Sequence, residues 1–545
     1  MTSERMTPEL AQRLSLAEQH DWFRRATSRR ALLRGGLVGA GTLAAGPALL
    51  GGTASASTTA SASASSSTSA FASTSASGAP SLLLAADIPS GSSVAPFGRH
   101  IAYGADPTTQ MAVSWQVPAA VKNPFIRVGT SPWDLGERIE AELRPLTTPR
   151  ADVVSIDNVP ASASSTIEQY YLHATLGGLR PGETYYYSVG HDGFDLPKPS
   201  FATSVNTFTT APQGREPFTF TAFGDQGVTY DAVTTENLVA AQQPAFHLVA
   251  GDICYAEASG SGLITDPYDP RIWDAYFTQI APVAASIPWQ VGVGNHEMEA
   301  WYSPDGYGGQ FSRFAFPTPN TTYFAFNYGN VAFISLDGND VSYEMPANRG
   351  FTSGTQTAWL EKQLAGARTA GIDFIVVYFH YCAYSTCVNN GSEGGVREQW
   401  VPLFDKYGVD LVINGHNHIY ERTDPIRSGA ATSAAPIGAT VDPATQGTTY
   451  IVAGGAGESL HGFSAADSYE GDVDNISNIS GYINSTGGTK VPETVTWSRV
   501  RYTGYCILRI DSKPAPRGGT STLTVRGLQE DGAEIDRVTL TRKAT

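Results

Sequence analysis

The sequence predicts a mixed α/β domain preceded by a small all-β domain, and three observations carry that prediction. Short apolar runs at FTFTAF, FHLVA, FIVVYF and VDLVIN read as buried strands, each stopping at a polar or glycine-containing turn. Among them, TQTAWLEKQLAGAR places its apolar positions on one helical face. Ahead of about residue 212, QMAVSWQV and TYYYSV alternate as half-buried strands do, separated by turn clusters such as GLRPGET.

Taken from the N-terminus, the first element is not part of either fold. Ser28, Arg29, Arg30, Ala31, Leu32 and Leu33 form a twin-arginine pattern, followed by a glycine-rich, modestly apolar stretch and a cleavage-like Ala54, Ser55, Ala56. Residues 1–56 thus resemble a Tat export signal, which implies a bacterial protein that is secreted or held at the cell wall. Residues 57–92 are dominated by Ser, Ala and Thr, too poor in apolar groups to build a core, and read as a spacer. Roughly 460 residues remain, more than one core usually holds, so two domains are expected at 93–212 and 213–545. No later hydrophobic stretch is long enough to span a bilayer. Trp115 reads as a core aromatic of the first domain, a small β-sandwich, and LRPGETYYYSVG resembles a fibronectin type III-like module. In the second domain, TTYIVAGGAG, GYCILRID and TLTVRGL are assigned to its second sheet, and His461 to Val500 reads as a long surface insertion at the rim.

The chemistry lies in five segments: FGDQG, GDICYA, GNHE, VVYFH and GHNH. Most follow a strand-like run, so their polar residues sit in turns at strand ends, where open α/β sheets place their sites. A lone GD pair is ordinarily a turn residue, but seven candidate donors in this order are more than turn chemistry needs. Asp252 is the candidate to bridge two cations and lower their repulsion. Asp225, Tyr255 and His418 complete a first half-site, rich in anionic oxygen and suited to a hard trivalent ion; Asn295, His380 and His416 complete a second, suited to a divalent one. The pairing expected is Fe(III) with Fe(II), Zn(II) or Mn(II).

These blocks resemble the purple acid phosphatases within the calcineurin-like metallophosphoesterases. Tyr255, three residues after Asp252, and the ending Tyr420, Glu421, Arg422 after GHNH are similar to the purple branch. The resemblance implies a sandwich of two mixed β-sheets flanked by helices, a leading fibronectin-like domain, and hydrolysis of small phosphate monoesters by a metal-bound hydroxide. It gives His296 the catalytic role, touching the phosphate and protonating the leaving oxygen, with Asn295 beside it in the substrate site. The sequence departs from the plant members beyond His380: where they carry two phosphate-contacting histidines, it has Asn389 and Asn390, which can bind a phosphate but deliver no proton. That loss favours a phosphodiesterase as the alternative; a metal-stabilised adhesion module is the alternative outside enzymes, and the presence of His296 speaks against it.

Other residues carry less. His100 and His173 read as structural, and His461 reads as a surface histidine, with reach into the site from its glycine-rich loop as the alternative. Cys382 and Cys387 could close a small loop beside His380, and the absence of a CxxC pair argues against thiolate metal ligands. A net charge of -16 without a basic run argues against binding of a nucleic-acid backbone. The partner expected is therefore a small phosphate ester.

Overall fold

The computed structural model describes residues 94–148, 166–195, 205–463, 476–481 and 489–545. The export signal and the spacer expected at 1–56 and 57–92 lie outside them.

The first domain is all-β. One four-stranded antiparallel sheet runs in the order Phe97–Tyr103, Met111–Val117, Glu168–Leu176, Glu142–Thr147; the other runs Arg138–Glu140, Phe125–Gly129, Thr184–Gly190, Asn206–Thr209. Their alternating side chains bury Trp115, Ile126, Leu172 and Tyr187 in one apolar cluster, as the period of two requires.

The second domain stacks two seven-stranded mixed sheets. In the first, His247–Val249 lies parallel between Phe218–Phe223 and Trp289–Val291, and Cys506–Lys513 adds antiparallel to Phe218–Phe223. In the second, Val331–Ser335, Phe374–Tyr378, Leu411–Asn414 and Thr449–Ala453 run parallel. Continuous apolar runs are what a strand covered on both faces needs, and these strands are buried throughout. The sheets meet through aromatics: Phe333 sits edge-on to Phe220 at 4.9 Å and to Phe246 at 5.1 Å. Helices Tyr230–Ala241 and Arg271–Ala284 cover the first sheet, and Thr355–Thr369 with Val401–Tyr407 cover the second. Among the described residues, no helix is long and apolar enough to cross a membrane.

Two sequence-based expectations are corrected here. The late strands do not share a sheet: Thr449–Ala453 joins the second, whereas Cys506–Lys513 and Thr520–Gln529 extend the first. The cause is the free edge of Phe218–Phe223, which local periodicity cannot reveal. Nor is the stretch to Val500 all insertion, since Ser498–Tyr502 pairs with Tyr420–Thr423 at the edge of the second sheet.

The domains meet along helix Arg271–Ala284. His100 stacks on Phe277 at 4.5 Å, while Gln116 and Gln169 both donate to Asp274 Oδ1, at 2.8 and 2.7 Å. His173 bonds Ser114 Oγ and the Ser312 carbonyl. Burial lowers the pKa of His100 to about 4 and of His173 to about 3, so both pack as neutral rings.

Candidate metal centre

The five segments converge where strands of the two sheets end. The turns there are tight enough that Asp225, Asp252, Tyr255 and His416 all adopt positive φ, between 50° and 68°. A non-glycine residue in that region costs on the order of 1–3 kcal/mol and persists only where its surroundings over-determine it. They do so here by hydrogen bonding. Asp225, Gln226 and Gly227 donate in turn to the carbonyls of Gly251, Asp252 and Ile253, and the His416 N–H donates to the Asp225 carboxylate at 2.8 Å. Glu297, which the sequence placed in the motif without a role, is fully buried and accepts the backbone N–H groups of Asp252, Ile253 and Gly294 at 2.7–2.8 Å, locking two of the segments together. Burial, with Asp252 next, raises its pKa to about 8.

Glycine is required where the segments touch. A Cβ at Gly294 would lie 2.1 Å from Asp252 Oδ1, and one at Gly415 would lie 2.5 Å from Asp225 Oδ2. Any side chain there would displace the carboxylates.

In the second half-site, four acceptor atoms point at one another. His380 Nε2 lies 2.9 Å from Asp252 Oδ2, 3.0 Å from Asn295 Oδ1 and 3.1 Å from His416 Nδ1. Partners on the far side fix the polarity of each group. His380 Nδ1–H donates to the Ala250 carbonyl, His416 Nε2–H donates to Glu344, and the Asn295 amide nitrogen donates to the Gly260 carbonyl. Lone pairs therefore face lone pairs. Their spacing of about 3 Å is that of neighbouring ligands around one ion with bonds of roughly 2.0–2.2 Å, so the donor set fits a cation. The Asp252, His380 and His416 ligand atoms form a compact triad, all within 4.8 Å.

The ionisation states answer to the same geometry. Burial opposes charge on His380, yet Asp252 and Asp225 outweigh it and raise the pKa to about 9. The adjacent His416 is pushed down to about 3 by burial and by that charge. Asp252 is held well below the usual carboxylate range: burial resists this and is overcome by His380 and His296. Without a metal, one proton on His380 takes the place of the cation.

The first half-site is arranged differently. His418 Nδ1–H donates to the Ser459 carbonyl at 2.6 Å, which leaves Nε2 facing the Tyr255 hydroxyl at 3.0 Å and Asp225 Oδ1 at 3.4 Å. Here one partner carries a hydrogen, because the phenol can donate to either neighbour. Burial, then Asp225 and Asp252, raises the Tyr255 pKa well above 10.

His296 lies over the junction. Its Nδ1–H donates to the Glu257 carbonyl at 2.5 Å, its ring packs on Tyr255 with centroids 4.4 Å apart, and its Nε2 is 3.9 Å from Asp252 Oδ2. It is thus oriented from behind with one nitrogen toward the cluster.

The neighbouring loops differ from their sequence reading. Of the two sequence readings of His461, the alternative one holds: its ring stacks on His418 at 4.0 Å and 7°, and its Nδ1 accepts the His418 N–H. Asn390 Nδ2 donates to the His416 carbonyl at 2.9 Å, and Asn389 is exposed. Cys382 and Cys387 are unbonded thiols, and Cys382 Sγ turns toward the Gly415 carbonyl, so the expected small loop is not closed by a disulfide.

Comparison with known proteins agrees with this arrangement. Residues 96–210 match the purple acid phosphatase N-terminal domain, and residues 218–420 match the calcineurin-like phosphoesterases. An uncharacterised protein of Mycobacterium tuberculosis is 31% identical over 487 residues, which cover 82% of this chain and 87% of the relative. Purple acid phosphatase 15 of Arabidopsis thaliana is 28% identical over 277 residues, covering 47% of this chain and 49% of that protein. The structure of a purple acid phosphatase from yellow lupin seeds shares the fold, with a TM-score of 0.59 at 18% identity over 83% of this chain and 75% of that one.

Proposed function

Because the chain belongs to the purple acid phosphatase family of metal-dependent phosphatases, we propose that it is an exported enzyme hydrolysing phosphate monoesters at two metal ions. Asp225, Tyr255 and His418 would hold one ion, Asn295, His380 and His416 the other, with Asp252 between them. The donor types favour Fe(III) in the first position and Fe(II), Zn(II) or Mn(II) in the second. What supports this most is that Asp252 Oδ2, Asn295 Oδ1 and His416 Nδ1 lie 2.9–3.1 Å from His380 Nε2, acceptor against acceptor. When bound, the two cations supply electrostatic activation of the ester and of the attacking water.

The chain's own residues do the rest. Glu297 and the glycine contacts keep the carboxylates in place, so little reorganisation accompanies the reaction. The Glu257 carbonyl accepts Nδ1–H of His296, which leaves Nε2 facing the cluster as the atom that carries the proton for the leaving group. From there the proton passes to the leaving oxygen.

One observation favours a second reading, cleavage of diesters. The loop beyond His380 offers Asn389 and Asn390 in place of protonatable groups, and the Asn390 amide is already engaged by the His416 carbonyl. The test is the initial rate on p-nitrophenyl phosphate and on bis-p-nitrophenyl phosphate, from acidic to alkaline pH, before and after chelation. A faster monoester whose hydrolysis stops on chelation is the expected result. A faster diester would move the assignment to the second reading, and rates indifferent to chelation would reject both.

A further inference from the structure

Each histidine at the cluster uses its second ring nitrogen in a hydrogen bond, but the partners are not equivalent. His380 and His418 donate to backbone carbonyls, those of Ala250 and Ser459. His416 donates to a carboxylate, Glu344 Oε2, at 2.7 Å, and both side chains there are only 6% exposed.

Glu344 reaches this position through a turn that a second carboxylate builds. Glu393 is buried, accepts the Gly395 N–H at the start of helix Gly394–Gln399, and also accepts the N–H groups of Tyr343 and Glu344 at 2.8 and 3.2 Å and the Ser342 hydroxyl at 3.2 Å. The segment from Ser342 to Glu344 is thereby pinned against the loop that follows His380. From that same loop, Asn390 holds the His416 backbone carbonyl. His416 is gripped at its main chain by an amide and at its ring by an anion.

We propose that Glu344 is a positioning residue of the second half-site, which commits His416 to coordinate through Nδ1 and strengthens it as a donor. The inference rests on the two-metal reading above. A hydrogen bond to an ionised acceptor is roughly twice as strong as one to a neutral carbonyl. With Nε2–H held by the Glu344 carboxylate at 2.7 Å, the ring keeps its lone pair on Nδ1, the atom 3.1 Å from His380 Nε2.

The test is competition between the metal-loaded full-length protein and a chelator, followed as metal content per chain, for wild type, Glu344→Gln and Glu344→Ala. Wild type should hold two ions. In both variants one ion should bind about 10–100-fold more weakly, the range typical of lost outer partners of metal-bound histidines, with the other ion unchanged as an internal control. Glu344→Gln keeps an acceptor of the same length and should lose less than Glu344→Ala, which separates the hydrogen bond from the charge; it also stays informative where the alanine variant folds poorly. Two ions held at wild-type strength in the glutamine variant and in any folded alanine variant would overturn the proposal, as would equal weakening of both ions. A wild-type protein holding fewer than two ions would reject the two-metal reading itself, a failure visible before any variant is made.

Discussion

The two half-sites solve the same problem with different chemistry. In the first, the Tyr255 hydroxyl supplies a hydrogen to a cluster that otherwise holds only acceptors, His418 Nε2 and Asp225 Oδ1. In the second, four lone pairs meet with no hydrogen of their own, and only a proton or a cation can reconcile them. The first is therefore organised before a metal arrives, whereas the second is organised for one. Buried acceptors left unpaired are costly, so without a cation the proton on His380 is what holds the second half together.

Asp252 tests the comparison at the point where the halves join, and its loss should have the largest effect. Asp252→Asn removes the negative charge that lies 2.9 Å from His380 Nε2 while keeping the shape of the side chain. Cations at such sites supply several kcal/mol of transition-state stabilisation, so hydrolysis should fall by about 10⁴-fold or more, with loss of bound metal. Retention of both ions at wild-type strength would show that the halves do not share this carboxylate. His296 sharpens the contrast by separating chemistry from binding: His296→Asn should slow turnover by about 10²–10⁴-fold with both ions still present. Metal loss in that variant would make His296 part of the scaffold.

What the sequence disclosed of this centre follows a physical rule. Side chains that face the cluster had to sit at the ends of apolar strands, and Asp225, Asp252, His380, His416 and the rest were readable because strand and turn are local patterns. The groups that hold them were not. Glu257 acts through a backbone carbonyl, Glu344 arrives on a turn with no motif, and His461, legible only as an alternative to a surface residue, stacks across from a separate loop. Each contact depends on chain folding back over long distances. The same limit explains the misplaced strand Cys506–Lys513, whose partner Phe218–Phe223 lies almost three hundred residues earlier. Glu297 is an intermediate case: it stood inside a legible motif, but its task of bonding three backbone N–H groups became visible only when two turns met.

Without metal, the second half-site should reveal itself through pH. The pKa of His380, raised to about 9, exceeds the roughly 6.5 of an unfolded histidine. Its stabilising effect is thus fully present below about pH 6.5 and is lost as pH rises through about 9, an amount of up to roughly 3 kcal/mol. Melting temperature of the chelated protein should fall across that window, whereas the metal-loaded protein, with the cation in place of the proton, should not follow it. Parallel curves for the two forms would mean that protonation of this ring does not substitute for a metal.

Tyr255→Phe should have the smallest effect, and it addresses the first half directly. Removing the hydroxyl from the chelated protein deletes one hydrogen bond, a net cost of about 1 kcal/mol, because the ring and its packing on His296 remain. The more informative consequence is qualitative. With the phenol hydrogen gone, His418 Nε2 faces Asp225 Oδ1 at 3.4 Å as one acceptor facing another, which is the condition of the second half in wild type. His418 already has a raised pKa, with burial opposing and Asp225 prevailing, and the variant should depend on that proton more heavily. The chelated variant should therefore show a deeper version of the pH-dependent loss of stability that His418 already contributes, on the same side of neutrality as that of His380 and absent when metal is bound. A variant that melts like wild type at every pH would show that the hydroxyl does not organise the first half, and the contrast between the two halves would then reduce to their choice of metal.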